Sequence, residues 1–134
     1  MVIEWTDAYR LGIPRLDDDH RNLVDILNRF LAATESGVDT RALGVILDQF
    51  AEGLAAHCRW EEALLDRYDY ADRLGHAERH QQMLVRLEAF ISPYKDGALL
   101  HDQTCDKSEF LANLLLAHIR DDDLPFKPYL MSLV

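Results

Sequence analysis

The spacing of apolar residues by threes and fours is the feature that most constrains this chain. Residues at these intervals lie on one face of an α-helix. The longest pattern places on one face Leu43, Leu47, Phe50, Leu54, His57, Glu61, Leu64 and Tyr68. Shorter patterns run from His20 to Leu31, from His76 to Phe90 and from Leu111 to His118, and no strand-like alternation competes with them. The sequence therefore predicts helices at about 17–37, 40–68, 72–92 and 102–122 after an irregular arm at 1–16.

Residues with strong conformational preferences divide these patterns. Gly37 suits the end of the first helix, and Asp39 or Thr40 can cap the second. Pro93 and Pro125 are expected to end the third and fourth, because the residue before a proline avoids helical dihedrals. The connections are short, and 134 residues suffice for one domain, 1–134. The predicted fold is all-α, an up-down-up-down antiparallel four-helix bundle with an irregular N-terminal arm.

Composition excludes several classes of partner. The formal net charge of −10 argues against nucleic acid, which needs a surface rich in Lys and Arg, and it disfavours an anionic membrane surface. No apolar run is long enough to span a bilayer, and the first residues lack the basic and apolar regions of a secretory signal. Two cysteines make a disulfide framework unexpected. We therefore predict a cytoplasmic protein with no nucleic-acid or membrane partner.

Histidines lie on the apolar faces of these helices. His57 and Glu61 are four residues apart, and so are His76 and His80, so each pair shares a face. One histidine on an apolar face is more often a hydrogen-bonded core residue, and either pair alone is a weak signal. A buried carboxylate, however, is costly unless it is paired or binds a metal. Five of the six histidines fall where four helices converge, which predicts a metal site; His101, in a predicted loop, is left out.

Spacing alone does not determine which carboxylate the fourth helix contributes. It must come from HIRDDD, residues 118 to 123. Helix geometry favours Asp122, four residues after His118, whereas Asp123 lies about 140° around an ideal helix from His118. Asp123 can turn inward only if the helix is ending there, and Pro125 favours such an end. Spacing leaves both aspartates as candidates.

Taken together, these motifs resemble those of the bacterial hemerythrins, non-haem di-iron proteins that bind oxygen. The family pattern is a tryptophan near the start, followed by D-x-x-H, H-x-x-x-E, H-x-x-x-H and H-I-x-x-x-D. This sequence carries these elements in order as Trp5, Asp17 to His20, His57 to Glu61, His76 to His80, and His118-Ile119 to Asp123. The resemblance extends over nearly the whole chain, and it selects Asp123 rather than Asp122.

The ligand set implied by the resemblance has seven members. They are His20, His57, Glu61, His76, His80, His118 and Asp123. One iron ion would be held by His76, His80 and His118, and the other by His20 and His57. Both carboxylates would bridge the Fe²⁺/Fe³⁺ pair, together with an oxo or hydroxo group. If each ion is six-coordinate, one position stays open on the ion with fewer histidines, and a small neutral molecule could bind there.

Three apolar positions are expected near that open position. Leu115 is similar to a leucine that shields bound oxygen in relatives. Cys58 and Leu114 stand where the family often has aromatic side chains, an aromatic after the second histidine and a tryptophan four before the last. The resemblance therefore implies an O2 pocket formed by Leu115, Leu114 and Cys58. Cys58 and Leu114, in place of aromatic residues, would change the size of this pocket and the oxidation rate of the iron.

The function implied is reversible binding of O2, as an oxygen carrier or store or as an oxygen-sensing module. No side-chain acid or base is required, so no catalytic residue is predicted. A signalling output domain is a further expected partner if the chain is part of a longer protein. The alternatives are a di-iron enzyme, such as a peroxidase, an oxidase or a nitric-oxide-handling protein, and a structural bundle that holds zinc.

Overall fold

Four helices form the fold of the computed structural model, which describes residues 2–96 and 108–133. They are α1, Pro14–Glu35; α2, Thr40–Arg67; α3, Arg73–Lys95; and α4, Ser108–Ala117. After α4 the chain continues as a π-turn, His118–Asp123, a 3-10 turn, Leu124–Phe126, and a short helix α5, Lys127–Met131. A further 3-10 turn occupies Asp7–Tyr9 in the arm. The described residues include no strand, so the predicted all-α four-helix bundle is confirmed. Residues 102–107 of the fourth predicted helix lie outside the described part.

The first helix begins at Pro14, three residues earlier than predicted. Proline suits the first turn of a helix, because its fixed φ is helical and the missing N–H would have no partner there. The Asp17 carboxylate then accepts hydrogen bonds from the backbone N–H of Leu11 at 2.7 Å and of Gly12 at 3.1 Å. These bonds fix the end of the arm against α1, so the arm is tied to the bundle immediately before the first candidate ligand.

Two predicted helix stops need correction, because both prolines lie inside helical structure. Pro93 is within α3, which continues to Lys95. The last turn carries Tyr94, which is fully buried and packs its ring 5.7 Å from that of Phe30. At the other proline, Leu124 keeps helical dihedrals of φ −56° and ψ −35°, and Pro125 sits in the first turn of a new 3-10 segment where no N–H is needed. Packing outweighs the local preference at both places.

Buried polar residues separate two apolar clusters along the bundle. The main core takes Leu23 from α1 and Leu54 and Cys58 from α2, whereas a smaller cluster takes Leu16 and Leu65 from the same helices. The face predicted for α2 is confirmed as far as Glu61, but Leu65 is buried beyond it, while Leu64 is only half-buried and Tyr68 is 38% exposed. The candidate ligands therefore lie at one level of the bundle, between the clusters.

The helices are amphipathic rather than apolar throughout. Within the described residues, no helix is both long enough and apolar enough to cross a bilayer. Helix α2 contacts α1 and α3, and α1 contacts α4, while Phe90 of α3 stacks on Phe110 of α4 with ring centroids 5.0 Å apart. Each helix thus directs one face inward, where the polar residues meet.

Candidate metal centre

A cluster of buried histidines and carboxylates occupies the level between the two apolar clusters. The side chains come from all parts of the bundle: His20 from α1, His57 and Glu61 from α2, His76 and His80 from α3, and His118 and Asp123 from the π-turn. None is more than 2% exposed. Their ligand atoms form two groups, each with its atoms within 4.8 Å of one another, and both groups share Glu61 and Asp123. The structure thus brings all seven predicted ligands together.

Glu61 connects histidines of two helices. Its Oε2 lies 3.1 Å from His57 Nε2, one helical turn away on α2. Its Oε1 lies 2.5 Å from His76 Nε2 and 3.0 Å from His80 Nε2, both on α3. One oxygen therefore faces each group of histidines, which is the arrangement that a bridging carboxylate requires.

Asp123 makes the corresponding contacts from the opposite side. Its Oδ2 lies 2.9 Å from Nε2 of both His20 and His118, and its Oδ1 lies 3.3 Å from His76 Nε2. The distances between ligand atoms place His118 in the same group as His20. Its ring centroid, however, lies only 5.0 Å from that of His80, in the other group. Assignment of three histidines to one ion and two to the other stays a prediction.

The π-turn explains why Asp123 rather than Asp122 points inward. In an α-helix the residue four positions on shares a face, whereas in a π-helix the backbone bonds join residues five apart. The segment His118–Asp123 adopts the wider turn, and Asp123 is fully buried while Asp122 is only half-buried. The expectation that the helix must end for Asp123 to turn inward was wrong, because the helix widens and then continues.

Several buried polar atoms at the centre lie within 3.3 Å of another clustered side chain, but among the described residues none of these contacts has the angles of a hydrogen bond. They are Glu61 Oε2, His80 Nε2, His118 Nε2 and Asp123 Oδ1. Each unsatisfied buried polar group costs about 1–3 kcal/mol. These atoms are two imidazole nitrogens and two carboxylate oxygens, the donor types that iron, manganese and zinc accept. The donor set therefore fits metal ions, which would satisfy all four atoms.

Charges within the cluster support the same conclusion. Burial lowers the pKa of His57 and His76, but hydrogen bonds with Asp123 and Glu61 outweigh it and raise these pKa values to about 10 and about 9. Burial and the neighbouring Asp123 raise the Glu61 pKa, while the three histidines that contact its carboxylate lower it more, to about 2. The carboxylates are thus ionised, and in the metal-free protein protons on the imidazoles supply the balancing positive charge.

Three acidic residues that the sequence analysis did not assign to this role contact the outer nitrogens of the histidines. Asp19 Oδ2 lies 3.1 Å from His57 Nδ1, and Glu62 Oε2 lies 2.8 Å from His80 Nδ1. Asp122 Oδ2 lies 3.5 Å from Nδ1 of the last ligand, His118. Each acid is a sequence neighbour of a ligand, and that adjacency is the signal that could have identified them.

The residues predicted for the O2 pocket are buried in the main core. Leu115 is fully buried, Cys58 is 1% exposed and Leu114 is 5% exposed. Leu114 also lines a groove of about 490 Å³ beside α3 and α4 that His118 lines as well. Burial raises the pKa of the Cys58 thiol well above its usual range, so the thiol stays protonated. Their role in oxygen binding stays a prediction, and His101 and Cys105 lie outside the described residues.

Comparison with known proteins agrees with this geometry. The family model described as the hemerythrin HHE cation binding domain matches residues 11–130. The chain belongs to the hemerythrin family. The hemerythrin match spans the segments that supply all seven clustered residues, from His20 to Asp123. Cation binding, which the family model's description names, therefore agrees with the buried cluster of histidines and carboxylates.

Individual hemerythrins are similar over most of their own lengths. A bacteriohemerythrin of Stenotrophomonas maltophilia is 25% identical over 91% of this chain and 77% of its own. Myohemerythrin-1 of Phascolopsis gouldii is 24% identical over 92% of this chain and 90% of its own. A bacteriohemerythrin of Methylococcus capsulatus is 23% identical over 98% of both chains. The similarity therefore covers the bundle as a whole rather than one motif.

Proposed function

We propose that the chain binds O2 reversibly at a pair of iron ions held by the seven clustered residues. The observation that carries the proposal is the placement of Glu61 and Asp123, each of which contacts histidines of both ligand groups. Two carboxylates shared in this way suit two adjacent ions rather than one. Membership of the hemerythrin family supports iron as the metal and oxygen as the ligand.

The protein's own residues would bind and orient the metal and exclude water. When bound, the iron pair supplies the electrons that hold O2, and an oxo or hydroxo bridge would complete its coordination. The five imidazoles would act as neutral ligands, so the protons that His57 and His76 carry in the metal-free protein would leave on metal binding. Cys58 follows the ligand His57, and Leu115 lies three residues before His118; both are buried in the main core. These two side chains would keep bulk water from the side of the centre that faces the main core.

Cycles of oxygen exposure and removal distinguish an oxygen carrier or sensor from an enzyme. The iron-loaded, reduced protein is exposed to oxygen, returned to an oxygen-free atmosphere, and exposed again. We expect a visible charge-transfer absorption that appears with oxygen and disappears without it over several cycles. Steady oxygen consumption in the presence of a reductant, with no reversible absorption, would instead indicate an oxidase.

The control for this experiment removes one bridging ligand. Glu61→Gln keeps the side-chain volume but replaces the carboxylate that contacts three histidines. We expect this variant to bind less iron and to show no reversible absorption. A metal analysis of the unaltered protein belongs to the same experiment, because two zinc ions and no colour would indicate a structural bundle.

A further inference from the structure

Two of the clustered histidines are held on both sides of the ring. His57 directs Nε2 to Glu61 and Asp123, and its Nδ1 lies 3.1 Å from Asp19 Oδ2. His80 directs Nε2 to Glu61, and its Nδ1 lies 2.8 Å from Glu62 Oε2. An ionised carboxylate only accepts hydrogen bonds, so Nδ1 donates to it, and Nε2 would present its lone pair to a bound metal ion.

The helices place these carboxylates by a simple rule of position. Successive residues are about 100° apart around an α-helix, so the neighbour of an inward ligand faces the seam with the next helix. Asp19 precedes the ligand His20 on α1 and reaches across to α2. Glu62 follows the ligand Glu61 on α2 and reaches across to α3. Helices α1 and α2 thus each supply a ligand and, at the adjoining position, a partner for a ligand of the neighbouring helix.

The remaining ligands do not have this arrangement. His20 Nδ1 and His76 Nδ1 are buried and have no hydrogen-bond partner among the described residues. Asp122 is 3.5 Å from His118 Nδ1, beyond a good hydrogen bond, and it accepts from Arg79 Nε at 2.9 Å. Asp19, in turn, also accepts from Arg15 Nε at 3.2 Å, which holds its carboxylate in place.

We propose that Asp19 and Glu62 are positioning residues of the metal centre, which fix the tautomer and the orientation of His57 and His80. This inference rests on the proposed metal site and goes beyond it by assigning these two residues. A carboxylate on the outer nitrogen makes an imidazole a stronger donor, and loss of such a partner typically weakens metal affinity about 10–100-fold. The two carboxylates serve one histidine in each ligand group, so both ions would depend on them.

The test uses Co²⁺ as a coloured probe for both positions. Affinity is measured by competition with a chelator, and the visible absorption reports the ligand geometry. Asp19→Ala and Glu62→Ala should each weaken binding of one Co²⁺ by about tenfold or more and change its absorption. The side chains are 22% and 36% exposed, so their loss opens no buried cavity, and far-ultraviolet circular dichroism checks that the variants fold.

Matched controls and isosteric variants separate a positioning role from a structural one. Asp25 and Glu52 are exposed carboxylates on the same two helices, and Asp25→Ala and Glu52→Ala should leave affinity and absorption unchanged. Asp19→Asn and Glu62→Gln keep the shape but remove the charge, so they should raise the reduction potential of the iron-loaded protein. Co²⁺ affinity, absorption and iron potential equal to those of the controls would overturn the inference. Failure of the unaltered protein to bind two metal ions would instead contradict the proposed metal site.

Discussion

Asp122 and Asp123 are adjacent in the sequence, but the fold gives them different surroundings. Asp123 is fully buried among histidines, whereas Asp122 is half-buried and pairs with Arg79. Asp123→Asn should therefore reduce bound iron from two ions per chain to one or none, because a bridging carboxylate is lost. Asp122→Asn should retain two ions. Metal analysis after desalting measures both, and the reverse pattern would show that the fourth-helix ligand is Asp122.

The titration of the histidines gives a second prediction for single residues. In the metal-free protein, Asp123 and Glu61 hold the pKa of His57 at about 10 and that of His76 at about 9, so both are protonated at neutral pH. Metal ions bind neutral imidazole, and binding must displace these protons. A weakly buffered sample with a pH indicator should release about two or more protons per chain on loading at about pH 7, and affinity should rise with pH. Loading without acidification would contradict this prediction.

At the scale of residues, the sequence predicted which histidines are buried and clustered better than it predicted the acids that contact their outer nitrogens. Two of the helical patterns place His57 and His80 on inward faces, and the structure buries both. Asp19 and Glu62 were not identified, because side chains that point into a seam between helices show no periodicity of their own. Their adjacency to His20 and Glu61 marks them as candidates, but the histidine that each one contacts depends on which helix packs alongside.

Helix ends allow a matched test at the scale of elements. Gly37 follows α1 with φ 76°, and Asp69 follows α2 with φ 53°, both in the left-handed region. Glycine adopts this region freely, whereas other residues are strained there by about 1 kcal/mol. Gly37→Ala should lower the free energy of unfolding by about 1 kcal/mol, and Asp69→Gly should raise it by somewhat less. Chemical denaturation compares the two, and changes of equal sign would contradict the assigned turns.

The boundaries of the elements were harder to predict than their existence. Sequence patterns located the four helices, and the expected cap Asp39 does accept a hydrogen bond from Arg41 N at 2.8 Å. Pro93 and Pro125 were expected to stop helices, but burial of Tyr94 and Phe126 keeps the chain helical around them. The π-turn likewise has no signal in the residue pattern. It depends on the simultaneous burial of His118, Ile119 and Asp123 against the other helices.

At the scale of the whole molecule, α1, α2, α3 and the π-turn that continues α4 all contribute side chains to one centre. A metal that binds only the folded chain adds stability that grows with its concentration, about 2.7 kcal/mol at a hundred times its dissociation constant. For a chain of this size we expect chelation to lower the melting temperature by roughly 8 °C or more. The Glu61→Gln variant should be less sensitive to chelator. Equal melting temperatures with and without metal would show that the centre does not link the four helices.

The central claim is that seven named side chains enclose two iron ions. The most direct measurement is a crystal structure of the iron-loaded protein with anomalous data collected on both sides of the iron absorption edge. We expect two iron peaks at one level of the bundle, both bordered by Glu61 and Asp123, with the five imidazoles around them. A single peak, peaks elsewhere on the chain, or a different metal at the centre would contradict this account.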